Sequence, residues 1–187
     1  MILEFPNYID SQVIDEIKSS IDKVKNTTDV YRPKKDLYSS SNREGKTLLI
    51  DDVPELKHID NKLNQICSTI SKDIIELNYN PVYPSGDTGY EYHCYEPYQI
   101  CRPHGDGEIT PGNSLLRFAS IIIHLNTVED GGELVFPMQN KTIKTEKGKL
   151  VIFPPYGMYQ HYTTPSKETR EVIVTWFVYN NINIQRI

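Results

Sequence analysis

Arg117-Phe-Ala-Ser-Ile-Ile-Ile-His-Leu125, followed by Val128-Glu-Asp-Gly-Gly-Glu-Leu-Val-Phe-Pro137, is the passage that sets the architecture. An apolar run of strand length meets a Glu-Asp-Gly-Gly turn, and a second short apolar run follows. The same alternation of short β segments and breaks extends in both directions from it. Segments 90–99, 115–125, 133–136, 141–144, 149–153 and 171–180 read as strands. The breaks fall at Pro111-Gly-Asn, Glu129-Asp-Gly-Gly, Glu146-Lys-Gly, Pro154-Pro-Tyr-Gly and Pro165-Ser-Lys. Many short strands with regular turns point to a sandwich or barrel, and a jelly roll fits best.

The first part of the chain has a different period. Val13, Ile14, Ile17, Ile21 and Val24 recur at helical spacing, which predicts a helix over 10–25 capped by Asp10 or Ser11. A second helix is predicted over 54–77. Pro54 suits its first turn, and Leu56, Ile59, Leu63, Ile66, Ile70 and Ile74 make its buried stripe. Between them, 26–47 is polar, basic and poor in core residues. It reads either as a solvated loop or as a lid over the site. The expected fold is mostly β with N-terminal helices: a double-stranded β-helix (jelly roll) core with the helices packed on one sheet. One domain is expected over 1–187, with helical support and the possible lid loop in 1–80 and the jelly-roll core in 90–180.

Composition narrows the function. The chain has 187 residues and a net charge of −5, which argues against a nucleic-acid partner, since phosphate binding needs clustered Lys and Arg. Thirteen Tyr stand against five Phe, so many rings should sit half-buried with a hydroxyl to place. The three cysteines, Cys67, Cys94 and Cys101, suit a reducing compartment better than a disulfide framework. Met1-Ile-Leu-Glu-Phe-Pro6 lacks the form of a secretory signal, and no run approaches the ~20 apolar residues of a membrane span. A cytoplasmic location with no membrane partner is expected; oligomeric state is left open.

The chemistry centres on His104-Gly105-Asp106. Two residues apart on a strand, an imidazole and a carboxylate point to one side. One further histidine would complete the 2-His-1-carboxylate set that holds Fe(II) with open coordination positions. His58 lies among polar neighbours on the second helix, and His93 suits a structural role. His124 ends the apolar strand. His161, fifty-five residues beyond Asp106 and just after the strand 149–153, is where a roll of strands would bring a ligand back. Nine residues later Arg170 opens a strand on which Val172, Val174 and Trp176 share its face. An arginine at the end of an apolar pocket calls for a carboxylate ligand. Read alone, Arg170 is better taken as a surface residue paired with Glu168 or Glu171.

Taken in order, these residues resemble the iron- and 2-oxoglutarate-binding motif of the Fe(II)/2-oxoglutarate dioxygenases, most closely the prolyl 4-hydroxylase branch. Tyr95-Glu-Pro-Tyr-Gln is similar to the family's Tyr-Glu-Pro-Gly-Gln segment before the metal histidine. Arg117-Phe-Ala-Ser, Val128-Glu-Asp-Gly-Gly-Glu-Leu-Val-Phe-Pro137, Gly148-Lys-Leu-Val-Ile-Phe153 and Trp176 match further family segments, and Phe5-Pro-Asn-Tyr-Ile-Asp-Ser resembles the family's opening. The resemblance implies that His104, Asp106 and His161 bind Fe(II). It implies that Arg170 and Tyr95 grip the distal carboxylate of 2-oxoglutarate and that Trp176 lines the pocket. It also implies O2 as co-substrate, ascorbate as reductant, and hydroxylation of a C–H bond with release of succinate and CO2. The implied substrate is a prolyl residue in a peptide or protein.

Three departures bear on the co-substrate. Arg170 stands where the procollagen-type enzymes have Lys, and is similar to the oxygen-sensing prolyl hydroxylases. Leu134 replaces a Thr. His124 stands where relatives often have a Tyr facing the co-substrate; it either bonds the carboxylate or is a core histidine. Neutral imidazoles are needed for metal, so activity should fall below pH ~6.5. Two rival readings remain: the same chemistry on a free amino acid, other small molecule or nucleobase, and a cupin-like metal-binding module without oxidation chemistry. Substrate choice would lie in loops 26–47, 81–89 and 107–114, with Arg102 or Arg117 facing the substrate.

Overall fold

A computed structural model describes residues 1–25, 43–75, 84–107 and 115–179. Residues 26–42 of the expected lid, residues 76–77 of the second helix, and 81–83 and 108–114 of the expected substrate loops lie outside the described residues, as does residue 180 of the last expected strand.

The chain starts with a short strand, β1 (Leu3–Phe5), and then helix α1 (Ser11–Val24). The Asp10 carboxylate accepts the Gln12 N–H at 2.7 Å, which satisfies one of the orphan donors of the first turn. β2 (Lys46–Leu49) follows. A 3-10 turn at Pro54–Leu56 leads into α2 (Lys57–Ile70), which passes into a π turn at Ser71–Ile75. The second helix is thus entered and left through tighter and wider turns, where a uniform helix was expected.

The remaining strands are β3 (Gly86–Asp87), β4 (Glu91–Tyr95), β5 (Leu116–His124), β6 (Leu134–Phe136), β7 (Lys141–Ile143), β8 (Leu150–Phe153), β9 (Tyr162–Thr163) and β10 (Arg170–Tyr179). They form two antiparallel sheets. The major sheet has the order β1-β8-β5-β10-β4-β2, with β3 also on β10; the minor sheet has the order β7-β6-β9. Residues 101–104 extend the minor sheet: Thr163 donates to the Cys101 carbonyl, and His104 and His161 exchange backbone hydrogen bonds at 3.0 and 2.9 Å.

Strand alternation divides the core in two. Ile14, Ile17 and Ile21 of α1 and Ile59, Leu63 and Ile70 of α2 pack on Ile121, Ile123, Tyr92 and Ile173, the outer face of the major sheet. Each fully buried side chain of this kind stabilises by roughly 1.5–3 kcal/mol. Cys67 joins the α2 stripe as a buried member, and Ile66 is only half-buried. The opposite face, with Ile122, Val151, Val172 and Val174, packs on Leu134, Phe136 and Ile143 of the minor sheet. This is the expected jelly roll with helices on one sheet. The space between the sheets, at one end, holds the candidate site. Among the described residues, no helix is long and apolar enough to cross a membrane.

Four strands escaped the sequence reading: β1, β2, β3 and β9. Each is four residues or shorter. β2 starts within the last two residues of the run 26–47 read as polar loop, and pairing with β4 buries its Leu48, just past that run, completely.

Candidate metal and co-substrate site

His104 and Asp106 lie on the segment that extends the minor sheet, and His161 is its direct partner across the pair. One ligand atom from each of the three comes within 4.8 Å of the others, an arrangement that could hold a metal ion. Asp106 Oδ1 lies 3.5 Å from His104 Nε2 and 3.8 Å from His161 Nε2.

The imidazoles are oriented from behind. His104 Nδ1 donates to the Arg102 carbonyl at 2.8 Å, and His161 Nδ1 donates to the Tyr159 carbonyl at 3.1 Å. In both cases the partner is two residues earlier on the same chain. Each bond fixes the tautomer that turns the Nε2 lone pair inward. Phe136 and Phe153 wall His161, the latter edge-on at 4.8 Å between centroids. The carboxylate is oriented too: the Ser120 hydroxyl donates to Asp106 Oδ2 at 2.5 Å, leaving Oδ1 to face the histidines. Arg117 donates to the Asp106 carbonyl at 2.9 Å and lies 4.0 Å over the Trp176 ring.

Three acceptors pointed at one another repel unless a cation lies between them. In the metal-free chain a proton fills that role. Burial opposes the charged form of His104, but hydrogen bonds to Asp106 and Cys101 outweigh it and push its pKa up to about 10. Burial pushes His161 down to about 4. Burial also works against the Asp106 charge, yet the two histidines and the Ser120 bond hold it well below the usual carboxylate range.

The cavity beside these groups runs to Arg170, which is only 4% exposed. Arg170 pairs directly across from Tyr95, and its guanidinium lies 5.5 Å from the Tyr95 ring centre. Its Nε donates to Thr145 Oγ1 at 3.2 Å, and among the described residues no carboxylate lies in ion-pair range of it. The surface reading of Arg170 fails on strand alternation. Glu171 points to the opposite face, where it meets Lys18 and the Tyr92 hydroxyl, while Glu168 accepts backbone N–H groups of Glu129 and Asp130. Burial pushes the Arg170 pKa down, the cost of an arginine that holds no anion.

The other expected residues fall in different places. Tyr95, Leu134 and Val172 line the cavity with Arg170. His124 is fully buried, on the same sheet face and diagonally adjacent to Arg170 through its pairing with Val172. Neither of its ring nitrogens has a partner among the described residues, and burial, with Arg170 and Lys149 nearby, lowers its pKa well below the ordinary value. Trp176 shares the face of Arg170 but sits opposite Ser120, under Arg117, away from the walls that surround Arg170. His58 lies outside the site, bonded to Ser20 at 3.1 Å. His93 lies at the cavity edge, bonded to Arg43 and Thr47.

Sequence reasoning passed over Ser120, Thr145, Cys101 and Arg43. Ser120 was within reach, because alternation along β5 puts it on the face of Ile122 and His124. Thr145 and Arg43 come from irregular chain and carry no periodic signal. Thr145 supplies a hydroxyl beside Arg170 although position 134 has none.

Residues 90–178 match the family model described as the 2OG-Fe(II) oxygenase superfamily. Among solved structures, the chain is similar to the viral collagen prolyl hydroxylase of Paramecium Bursaria Chlorella virus-1, described as a 2OG complex, with TM-score 0.71, 17% identity and 96% of each chain covered. It is similar to a Pseudomonas putida prolyl-4-hydroxylase, with TM-score 0.70, 16% identity, and 96% of this chain and 93% of that one covered. A Trichoplax adhaerens prolyl hydroxylase, in complex with a hypoxia inducible factor peptide fragment, matches with TM-score 0.69 and 16% identity over 95% of this chain and 83% of that one. At such identities the likeness speaks for the fold. No curated protein matches the chain. Motif, site and fold agree: residues 90–178 match the 2OG-Fe(II) oxygenase superfamily, and the chain has the fold of the prolyl hydroxylases to which it is similar.

Proposed function

We propose that this 2-oxoglutarate-dependent dioxygenase hydroxylates a prolyl residue in a peptide or protein, with His104, Asp106 and His161 as its Fe(II) ligands. The observation that carries the reading is the pairing of two features in one cavity: three converging acceptors and a buried arginine with no carboxylate partner among the described residues.

The charges fit. Arg43 and Arg170 on one side, and Asp106 and Glu91 on the other, leave the protein groups near neutrality. A divalent ion adds two positive charges, and a dicarboxylate cancels them. Arg170 Nε is held by Thr145, so its two terminal nitrogens remain for the distal carboxylate of 2-oxoglutarate in fork geometry. Tyr95 closes one side of that end, and His124 stands beside it with an N–H to give. Trp176 supports Arg117, which ties down the backbone of Asp106 and faces the substrate side. Bound there, iron with 2-oxoglutarate and O2 supplies the oxidation: one oxygen atom goes to the substrate C–H, and the other leaves in succinate alongside CO2. The protein's part is orientation of the ligands and exclusion of water. Ascorbate would keep the metal ferrous.

A peptide substrate is supported by the open side. Among the described residues, a Cβ on Gly105 would meet only Gly157 Cα at 3.8 Å, and one on Gly107 or Gly157 would meet nothing within 4 Å. Tyr156 and Met158 are exposed beside this bare backbone, offering apolar contact to an incoming chain.

The test is incubation with Fe(II), ascorbate, 2-oxoglutarate and proline-rich peptides. The expected result is a peptide heavier by one oxygen (~16 Da) and one succinate per hydroxylation. Succinate without peptide oxidation would move the reading to another substrate, a small molecule included. Metal binding with neither product, unaffected by loss of Arg170, would favour a metal-binding module.

A further inference from the structure

Arg43 is a second arginine of the same cavity, and nothing in the motif accounts for it. It forms an isolated antiparallel bridge with Cys101, and its side chain lines the cavity with His104, Asp106 and Tyr95. One nitrogen anchors it: Nη1 lies 3.0 Å from His93 Nε2 and 3.5 Å from Glu91 Oε2. Nε and Nη2 make no hydrogen bond to any described residue. Arg170 is held in the same manner by one nitrogen, Nε, at the other end. The cavity thus has two arginines, each fixed by the wall and each with a two-nitrogen edge left over.

A 2-oxo acid chelating a metal at His104, Asp106 and His161 spends one oxygen of its C1 carboxylate on the metal. The other oxygen is then a buried charged acceptor, and such a group needs a donor. The free edge of Arg43 is a matching donor at the metal end, and side-on Nε/Nη2 pairing is one of the fork geometries open to arginine. Building on the function proposed above, we infer that Arg43 binds the metal-side carboxylate of the 2-oxo acid, as Arg170 binds the distal one. The co-substrate would then be held at both ends, by Arg43 at the metal side and by Arg170 at the far side.

Ligands that differ at one end separate the two arginines. 2-Oxoglutarate carries both carboxylates, whereas 2-oxopentanoate keeps the C1 carboxylate and lacks the distal one. Both are titrated calorimetrically, without O2, into protein saturated with Mn(II). Arg170→Gln should weaken 2-oxoglutarate by roughly 10- to 100-fold, the size of a lost charged hydrogen bond, and leave 2-oxopentanoate within about twofold of wild type. Arg43→Gln should weaken both ligands by the same factor. Arg43→Lys keeps the charge, loses the fork, and should weaken both by at least about threefold; it carries the test if the Gln variant fails to fold. The inference is overturned if folded Arg43 variants bind both 2-oxo acids as wild type does. It is equally overturned if only the KM for peptide changes, which would make Arg43 a substrate contact. If wild-type protein binds Mn(II) but neither 2-oxo acid, the function proposed above falls along with it.

Discussion

The Ser120 hydroxyl is a small group on which the metal site depends heavily. Ser120 is completely buried, and Asp106 is nearly so; their bond is 2.5 Å long. Removing the hydroxyl with Ser120→Ala leaves Oδ2 of a buried carboxylate short of its side-chain donor. A hydrogen bond to a charged group contributes about 1.5–3 kcal/mol. Part of that loss falls on the metal-free fold, where it should lower the melting temperature by roughly 3–8 °C for a chain of this size. The larger consequence is for the metal. Without its anchor the carboxylate can rotate, and groups behind metal ligands are typically worth 10- to 100-fold in affinity. Competition with a chromophoric chelator for Fe(II) or Co(II) measures this directly. The expected result is a loss in that range for Ser120→Ala and near wild-type affinity for Ser120→Thr, which keeps the hydroxyl. A folded Ala variant with metal affinity within twofold of wild type would refute the argument that the Asp106 orientation comes from Ser120.

Other predictions follow from the same geometry. In the metal-free chain His104 carries a proton at neutral pH, so metal binding at pH 7 should release about one proton, measurable with an indicator dye in weak buffer. No release would mean that the His104–Asp106 contact does not hold that proton. The stability from this His104 shift is present below its unfolded value of ~6.5. It should be lost as pH rises towards the folded value of about 10, so metal-free protein melts lower at pH 10 than at pH 6.5. Gly131→Ala places a Cβ 2.0 Å from the Pro165 carbonyl oxygen at a φ of +81°. It should cost about 3 kcal/mol or more by thermal melting, and an unchanged melting temperature would contradict that packing.

How much of this was legible in the sequence depended on the kind of signal. The apolar alternation of Arg117–Leu125 and of the strand opened by Arg170 gave both the sheet and the face on which Arg170 lies. Once that face was known, the pairing with Glu171 was excluded by geometry, because neighbours on a strand point apart. The helices were legible from Ile14, Ile17 and Ile21 and from Ile59, Leu63 and Ile70, whose spacing persists for several turns. β3 and β9, each two residues long, could not be read, since a period needs more residues than they have. Arg43 was hidden for a different reason. It sits in a run of polar residues where nothing local separates a cavity wall from a solvated loop, and only the bridge to Cys101, distant in sequence, decides it. His124 showed the limit of position: its face was legible, but its lack of a partner among the described residues could be known only from the packed structure.

The central claim is that His104, Asp106 and His161 hold Fe(II) while Arg170 holds the far end of 2-oxoglutarate. It is tested most directly by anaerobic absorption titration of the Fe(II)-loaded protein with 2-oxoglutarate. Chelation of the ferrous ion by the keto acid gives a visible charge-transfer band, which reports metal and co-substrate together. The account predicts this band with one equivalent of iron, its absence in His161→Ala, and its appearance in Arg170→Gln only at roughly 10- to 100-fold higher 2-oxoglutarate. A band of unchanged strength and affinity in both variants, or none in the wild type, would contradict it.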